Sequence, residues 1–168
     1  MIKGEDKRGQ FEISFGMIFS IFIIIATVAV AFYVIKEFLS VNECAGIGGF
    51  YDDFQREITK AWQSSISKGV YTGTLPTSIE YACFAVPGKV YTGTKYTVQY
   101  DSLKDTIQSF GIDENRNVFL YPSKGCQGME YYSLEHIAVS DFFCSQVVDG
   151  KVKVNFDKDV SDALVKLS

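Results

Sequence analysis

The sequence holds a single histidine, His136, and none of the short motifs that mark common catalytic machinery. There is no G-x-S-x-G to raise a serine nucleophile, no Walker loop or dinucleotide fingerprint to cradle phosphates, and no H-E-x-x-H to hold zinc. Glu135-His136 is the one place where an acid adjoins a base. Neighbours in a strand point to opposite faces, so the pair reads as surface or half-buried side chains rather than a catalytic couple. Close cysteine pairs are absent, and with them the usual zinc spacing. The acidic runs Asp113-Glu114-Asn115 and Asp157-Lys158-Asp159 fit no calcium-loop pattern and read as solvated turns. None of Asn42, Asn115, Asn117 and Asn155 has Ser or Thr two places on, so no glycosylation sequon is present. A net charge of −4 with both signs mixed leaves no basic face for nucleic acid and no charged tail. The expectation is a chain without catalysis, metal or cofactor.

Charge itself is missing from Ile13 to Ile35. That run makes about 34 Å of helix at 1.5 Å per residue, enough for a hydrocarbon core of about 30 Å. A cleavable secretory signal has an apolar region of about 7–15 residues before small residues at its cut site. This run is longer, and Lys36-Glu37-Phe38 follows it. A buried core helix is normally shorter and keeps a polar face. The segment 13–39 is therefore read as a membrane-spanning helix. Lys3, Lys7 and Arg8 precede it and only Lys36 follows closely. The positive-inside bias places residues 1–12 in the cytoplasm as a short leader, and the rest of the chain outside.

All four cysteines, Cys44, Cys83, Cys126 and Cys144, lie on the outer side of that span. An even number in an exported domain reads as two disulfides. Three pairings are open. Cys83 and Cys144 sit inside strand-like runs, and Cys44 and Cys126 in glycine-containing loops, which favours pairing like with like.

Lys7-Arg8-Gly9-Gln10 followed at once by the apolar run resembles the class III signal of archaeal type IV prepilins and archaellin-like proteins. The resemblance covers about the first 40 residues. It implies that a prepilin-type membrane peptidase cuts after Gly9, leaving Gln10 as the first mature residue. It also implies that the apolar helix stays on the subunit and joins copies of itself in a filament core. Glu12 would then stand third in the mature chain, near the new amino group. Small residues let helices approach closely in lipid, and Gly16 and Ser20 make one small-xxx-small pair.

Beyond the span, residues 40–49 hold Cys44 and three glycines and read as a linker that breaks the helix. Then Phe50, Tyr51, Phe54, Ile58, Ala61 and Trp62 recur at helical spacing, with Asp52, Asp53, Arg56, Glu57 and Lys60 opposite. This predicts an amphipathic helix ending near Lys68-Gly69, with Trp62 as a core anchor. Strand-like runs follow at Ser78–Val86, Asn117–Tyr121 and Met129–Ile137. A short helix begins after Ser102 and stops at Gly111, with Leu103, Ile107 and Phe110 inward. Asp149-Gly150 between apolar flanks predicts a hairpin, with Val152, Val154 and Phe156 on one face and Lys151, Lys153 and Asn155 on the other. VYTGT occurs at Val70–Thr74 and again at Val90–Thr94, too few copies for a solenoid, and reads as strand end and turn.

The fold class expected is α+β. An N-terminal transmembrane helix is followed by an extracytoplasmic domain, 50–168, in which an amphipathic helix packs on an antiparallel sheet with a C-terminal hairpin. Long helix and sheet together also resemble bacterial-type pilins, in which the helix is nearly continuous. Two functional readings stand: a pilin-like structural subunit, or a single-pass anchored ectodomain that binds an envelope partner or ligand without filament assembly.

Overall fold

The computed structural model describes residues 15–86, 88–113, 115–122, 126 and 128–168. The fold is α+β: two helices and eight strands among the described residues. The chain forms two compact units, one reaching to Leu39 and the other running from Ser40 to Ser168.

The first helix, α1, is Phe15–Gln63, so the break expected at 40–49 is not there. A glycine inside a helix costs about 1 kcal/mol relative to alanine. Packing outweighs that cost here. Ile47, Phe50, Tyr51, Phe54, Ile58 and Ala61 fall on one face and are buried, with Cys44 partly buried beside them. Helices in proteins draw most of their stability from such a face rather than from propensity. The helix also ends earlier than Lys68-Gly69. Ser64 N–H donates to the Ala61 carbonyl at 3.2 Å. The buried Lys158 ammonium donates to the Ser64 carbonyl at 2.7 Å. A cation at a helix C-terminus meets the negative end of the dipole, so Lys158 belongs to a strand that closes the helix end rather than to an acidic turn.

The strands are β1 Ser67–Thr74, β2 Tyr81–Phe84, β3 Val118–Tyr121, β4 Tyr131–Tyr132, β5 Ile137–Val139, β6 Phe143–Val148, β7 Lys151–Lys158 and β8 Val165–Leu167. They form one sheet in the order β4-β3-β2-β6-β7-β8-β5, with β1 also paired to β7. The hairpin expected at Asp149-Gly150 joins β6 to β7, and both turn residues have positive φ, as a type I′ turn requires. Its faces alternate as expected: Val152, Val154 and Phe156 are buried, and Lys151, Lys153 and Asn155 exposed. The sheet is not wholly antiparallel, because β5 and β8 run parallel. The strand expected at Met129–Ile137 is split into β4 and the start of β5, and Glu135-His136 sits in a bend between them.

Strand β1 begins at Ser67, where the spacing predicts the last turn of the helix, and runs through Val70–Thr74, expected as a strand end and turn. It pairs with β7 along its whole length, Ser67 opposite Lys158 to Thr74 opposite Lys151. Its glycines are there for close approach. A Cβ on Gly69 would lie 2.7 Å from the Phe156 ring, and one on Gly73 2.6 Å from the ring of Phe50. The first VYTGT copy is thus strand, whereas the second lies in irregular chain before the second helix, α2, Thr97–Asp113.

Sheet alternation produces two cores. Ala82, Phe84, Val118 and Leu120 join the α1 side chains in one. Cys83, Phe119 and Cys144 point the other way and meet Tyr100, Leu103 and Ile107 of α2. The helix starts five residues before the expected Ser102 cap, and Leu103 and Ile107 face inward as the spacing predicts. The Phe110 side chain lies outside the described residues. The sulfurs of Cys83 and Cys144 are at bonding distance, 2.02 Å, across directly paired positions of β2 and β6. Those of Cys44 and Cys126 are 2.10 Å apart. These are the pairs the sequence favoured, although Cys44 lies on a helix rather than in a loop.

Candidate functional site

The first candidate is the apolar part of α1. From Phe15 to Leu39 every described side chain is exposed, including Phe15, Phe22, Phe32 and Phe38. Its most apolar window has a mean hydropathy of 2.8, and none of that window is buried within the chain. Contiguous apolar surface on this scale marks a membrane or protein interface. The helix is long and apolar enough to cross a membrane. Its hydroxyls suit an apolar medium, where every polar group needs an internal partner. Ser20 Oγ donates to the Gly16 carbonyl at 2.8 Å, and Thr27 Oγ1 to that of Ile24 at 2.9 Å. Gly16 and Ser20 therefore stand one turn apart with the Ser20 hydroxyl folded back onto its own helix. Gly9, Gln10 and Glu12, expected at the processing site, lie outside the described residues.

The second candidate is a cleft of about 500 Å³ in the C-terminal unit, lined by Val86, Asn115, Ser133, Glu135, His136 and Leu164 among others. Asn117 holds one wall. Its Nδ2 donates to the Leu134 carbonyl and its Oδ1 accepts from Leu134 N–H, both at 2.8 Å. Asn115 and His136 at the rim both have positive φ, at 53° and 64°. On its far side the His136 ring stacks on Trp62, with centroids 3.8 Å apart and planes 6° from parallel. The Trp62 indole N–H donates to the Ala163 carbonyl at 3.1 Å. Trp62 is thus not a core anchor: it is 38% exposed and packs flat on His136. Glu135 lies 3.8 Å from His136 Nε2. The contacts of the imidazole among the described residues are the Trp62 face and the Glu135 carboxylate.

A smaller cleft of about 290 Å³ is lined by Tyr51, Asp52, Arg116, Met129, Tyr131 and Tyr132. Tyr51 and Tyr132 stack at 4.4 Å, and Tyr51 donates its hydroxyl to the Met129 carbonyl at 2.9 Å. Burial, and then the nearby Glu130, push the Tyr51 phenol well above its ordinary range. Burial likewise pushes Tyr71 up to about 12. Both rings stay neutral packing elements at any physiological pH. Among the described residues no group of three His, Cys, Asp or Glu side chains gathers to hold a metal.

Comparison with protein-family models, with curated proteins and with solved structures finds no match to this chain. Of the residues singled out from sequence, the structure brings together the two cysteine pairs and the Gly16–Ser20 step. The Trp62–His136 stack had no sequence signal, because its partners are joined only by the folding of α1 against the loop after β4.

Proposed function

We propose that this chain is a membrane-anchored, pilin-like surface subunit with a structural role and no catalytic one. The observation that carries the reading is the apolar half of α1: an uninterrupted helix from Phe15 onward whose side chains find no cover within their own chain. Lipid supplies that cover first, and copies of the same helix supply it in an assembly. The helix continues to Gln63, in keeping with the nearly continuous helix of bacterial-type pilins. Two disulfides belong with an oxidising, extracytoplasmic setting for the C-terminal unit. The basic flank Lys3, Lys7 and Arg8 then puts the N-terminus in the cytoplasm.

In this reading a prepilin-type peptidase at the cytoplasmic face cuts between Gly9 and Gln10. Glycine presents no side chain to the enzyme's pocket, and the basic pair before it sits at the membrane edge. The new amino group at Gln10 lies near Glu12, where a carboxylate at a helix N-terminus is favoured by the dipole. Pairing between them in a low-dielectric setting fixes register between neighbouring subunits.

N-terminal sequencing of the mature protein from its native envelope tests this. The first residue is expected to be Gln10, and Gly9→Phe should leave the leader attached and abolish lateral assembly while the anchor still inserts. A mature protein that begins at Met1 or Ile2, with Gly9→Phe behaving as wild type, would establish the anchored, partner-binding ectodomain instead.

A further inference from the structure

The face of the sheet turned away from α1 is only half covered. Helix α2 lies over β2 and β3, with Leu103 and Ile107 against Cys83, Phe119 and Cys144. Along β6 the same face continues from Cys144 to Gln146 and Val148, because alternate residues share a side. Gln146 and Val148 are exposed. On β7 that face carries Lys151, Lys153 and Asn155, and on β1 it carries Val70, Thr72 and Thr74, all uncovered. A hollow of about 460 Å³ there is lined by Gln146, Val148, Asp149, Lys151 and Lys153. Lys68 on the same face is taken by Asp157 at 3.8 Å, and Lys166 by Asp162 at 2.7 Å. Neither Lys151 nor Lys153 has an ion-pair partner among the described residues.

The outer ridge of α2 has the complementary character. At 100° per residue, Val98, Asp101, Ser102 and Asp105 lie opposite the buried Tyr100, Leu103 and Ile107, with Lys104 off to one flank. Val98 is 64% exposed. Asp101 and Asp105 are exposed and have no ion-pair partner among the described residues. Their separation of one helical turn, about 6 Å, matches the roughly 6.6 Å between Lys151 and Lys153 two places apart on a strand. Each patch also brings one exposed valine, Val98 on the ridge and Val148 in the hollow.

We infer that the bare half of the sheet is an assembly surface for a second copy of this chain, which lays the α2 ridge of one subunit over β6 and β7 of the next. Asp101 and Asp105 meet Lys151 and Lys153, and Val98 covers Val148. The contact joins two different surfaces, so it links successive copies head to tail, into a ring or an open array, rather than closing as a two-fold dimer. It rests on the subunit reading above and adds to it the contact made by the C-terminal units, separate from the apolar helices.

Two photo-crosslinking reporters in the full-length chain in its native membrane test this. Ser102→benzoylphenylalanine reports the α2 ridge, and Phe22→benzoylphenylalanine reports helix contacts. The Ser102 reporter is expected to link to a peptide within residues 146–153 of another copy. Reversing Lys151 and Lys153 to Glu, or Asp101 and Asp105 to Lys, should each weaken that link about tenfold or more, and combining the four changes should restore it. The fully oxidised mass of each variant checks that it has folded. Phe22 links without Ser102 links, or Ser102 links indifferent to the charge reversals, overturn this inference and leave the subunit reading standing. Loss of both sets of links in the wild-type background overturns both.

Discussion

Replacing Phe54 by alanine is expected to destabilise the C-terminal unit by about 3–5 kcal/mol, the range for losing a fully buried aromatic side chain. Phe54 is 0% exposed and stands where α1 meets the sheet. Its ring stacks on Tyr71 at 4.4 Å and meets Phe84 edge-on at 5.9 Å. Phe50 closes a third side at 5.8 Å. Each aromatic pair adds about 0.5–1.5 kcal/mol beyond the area it buries. The neighbours cannot collapse into the gap, because Phe50 is itself wedged against Gly73 and Tyr71 is fixed by the pairing of β1 to β7. Against a total stability of about 5–15 kcal/mol this is a large fraction. Near-UV circular dichroism of the full chain in detergent should show the melting midpoint lowered by roughly 10–20 °C. Phe32→Ala provides the contrast. Phe32 is 70% exposed in the apolar part of α1, and its loss should leave that midpoint where it was. Equal shifts in the two variants would mean that the core does not hold the C-terminal unit as described.

The contrast between these two phenylalanines also marks what was legible in the sequence. Both belong to apolar, helix-like stretches, and both were assigned to helix. Absence of charge over a full bilayer's length distinguishes the first stretch, and a charged face distinguishes the second. Short-range chemistry was equally readable: Asp149-Gly150 fixes a turn by its own backbone preferences, and the alternation of Val152, Val154 and Phe156 follows from it. What stayed hidden depends on partners distant in the chain. The glycines at 46, 48 and 49 argue locally for a break, and the helix persists because Ile47, Phe50 and Tyr51 have a sheet to pack on. Gly69 and Gly73 argue against a strand, since glycine is depleted there. They are strand residues because the rings of Phe156 and Phe50 need the space. Trp62 left the core for the same kind of reason: His136, brought beside it by the bend before β5, offers a flat surface and Ala163 a hydrogen-bond acceptor. The candidate assembly surface was half legible. Lys151 and Lys153 were placed on an outward face, while the incomplete cover by α2 follows only from the topology.

Removing either disulfide is expected to cost about 4 kcal/mol, and the two should yield to reductant in a fixed order. The bonds close long stretches, with separations of 82 residues for Cys44–Cys126 and 61 for Cys83–Cys144. Chain entropy depends only weakly on length at this scale, so it assigns both about the same stabilisation. Burial separates them at one sulfur, because Cys126 is itself buried at 4% exposure. Cys83 and Cys144 lie in the core beneath α2, at 0% and 6% exposure, whereas Cys44 is only partly buried on the flank of α1. A thiolate must reach a sulfur to exchange with it. Cys44–Cys126 can be attacked in the folded chain at the Cys44 sulfur, but Cys83–Cys144 opens only when α2 leaves the sheet. Mild reduction followed by alkylation and peptide mass mapping should label Cys44 and Cys126 well before Cys83 and Cys144. Phe54→Ala, by loosening the unit, should narrow that gap. In unfolding experiments Cys83→Ala with Cys144→Ala should lower stability by about the same amount as Cys44→Ala with Cys126→Ala. First labelling at Cys83 and Cys144 would refute the shielding assigned to α2. Four free thiols in protein taken directly from the native envelope would refute the disulfides themselves, and with them the oxidising side of the membrane for residues 40–168.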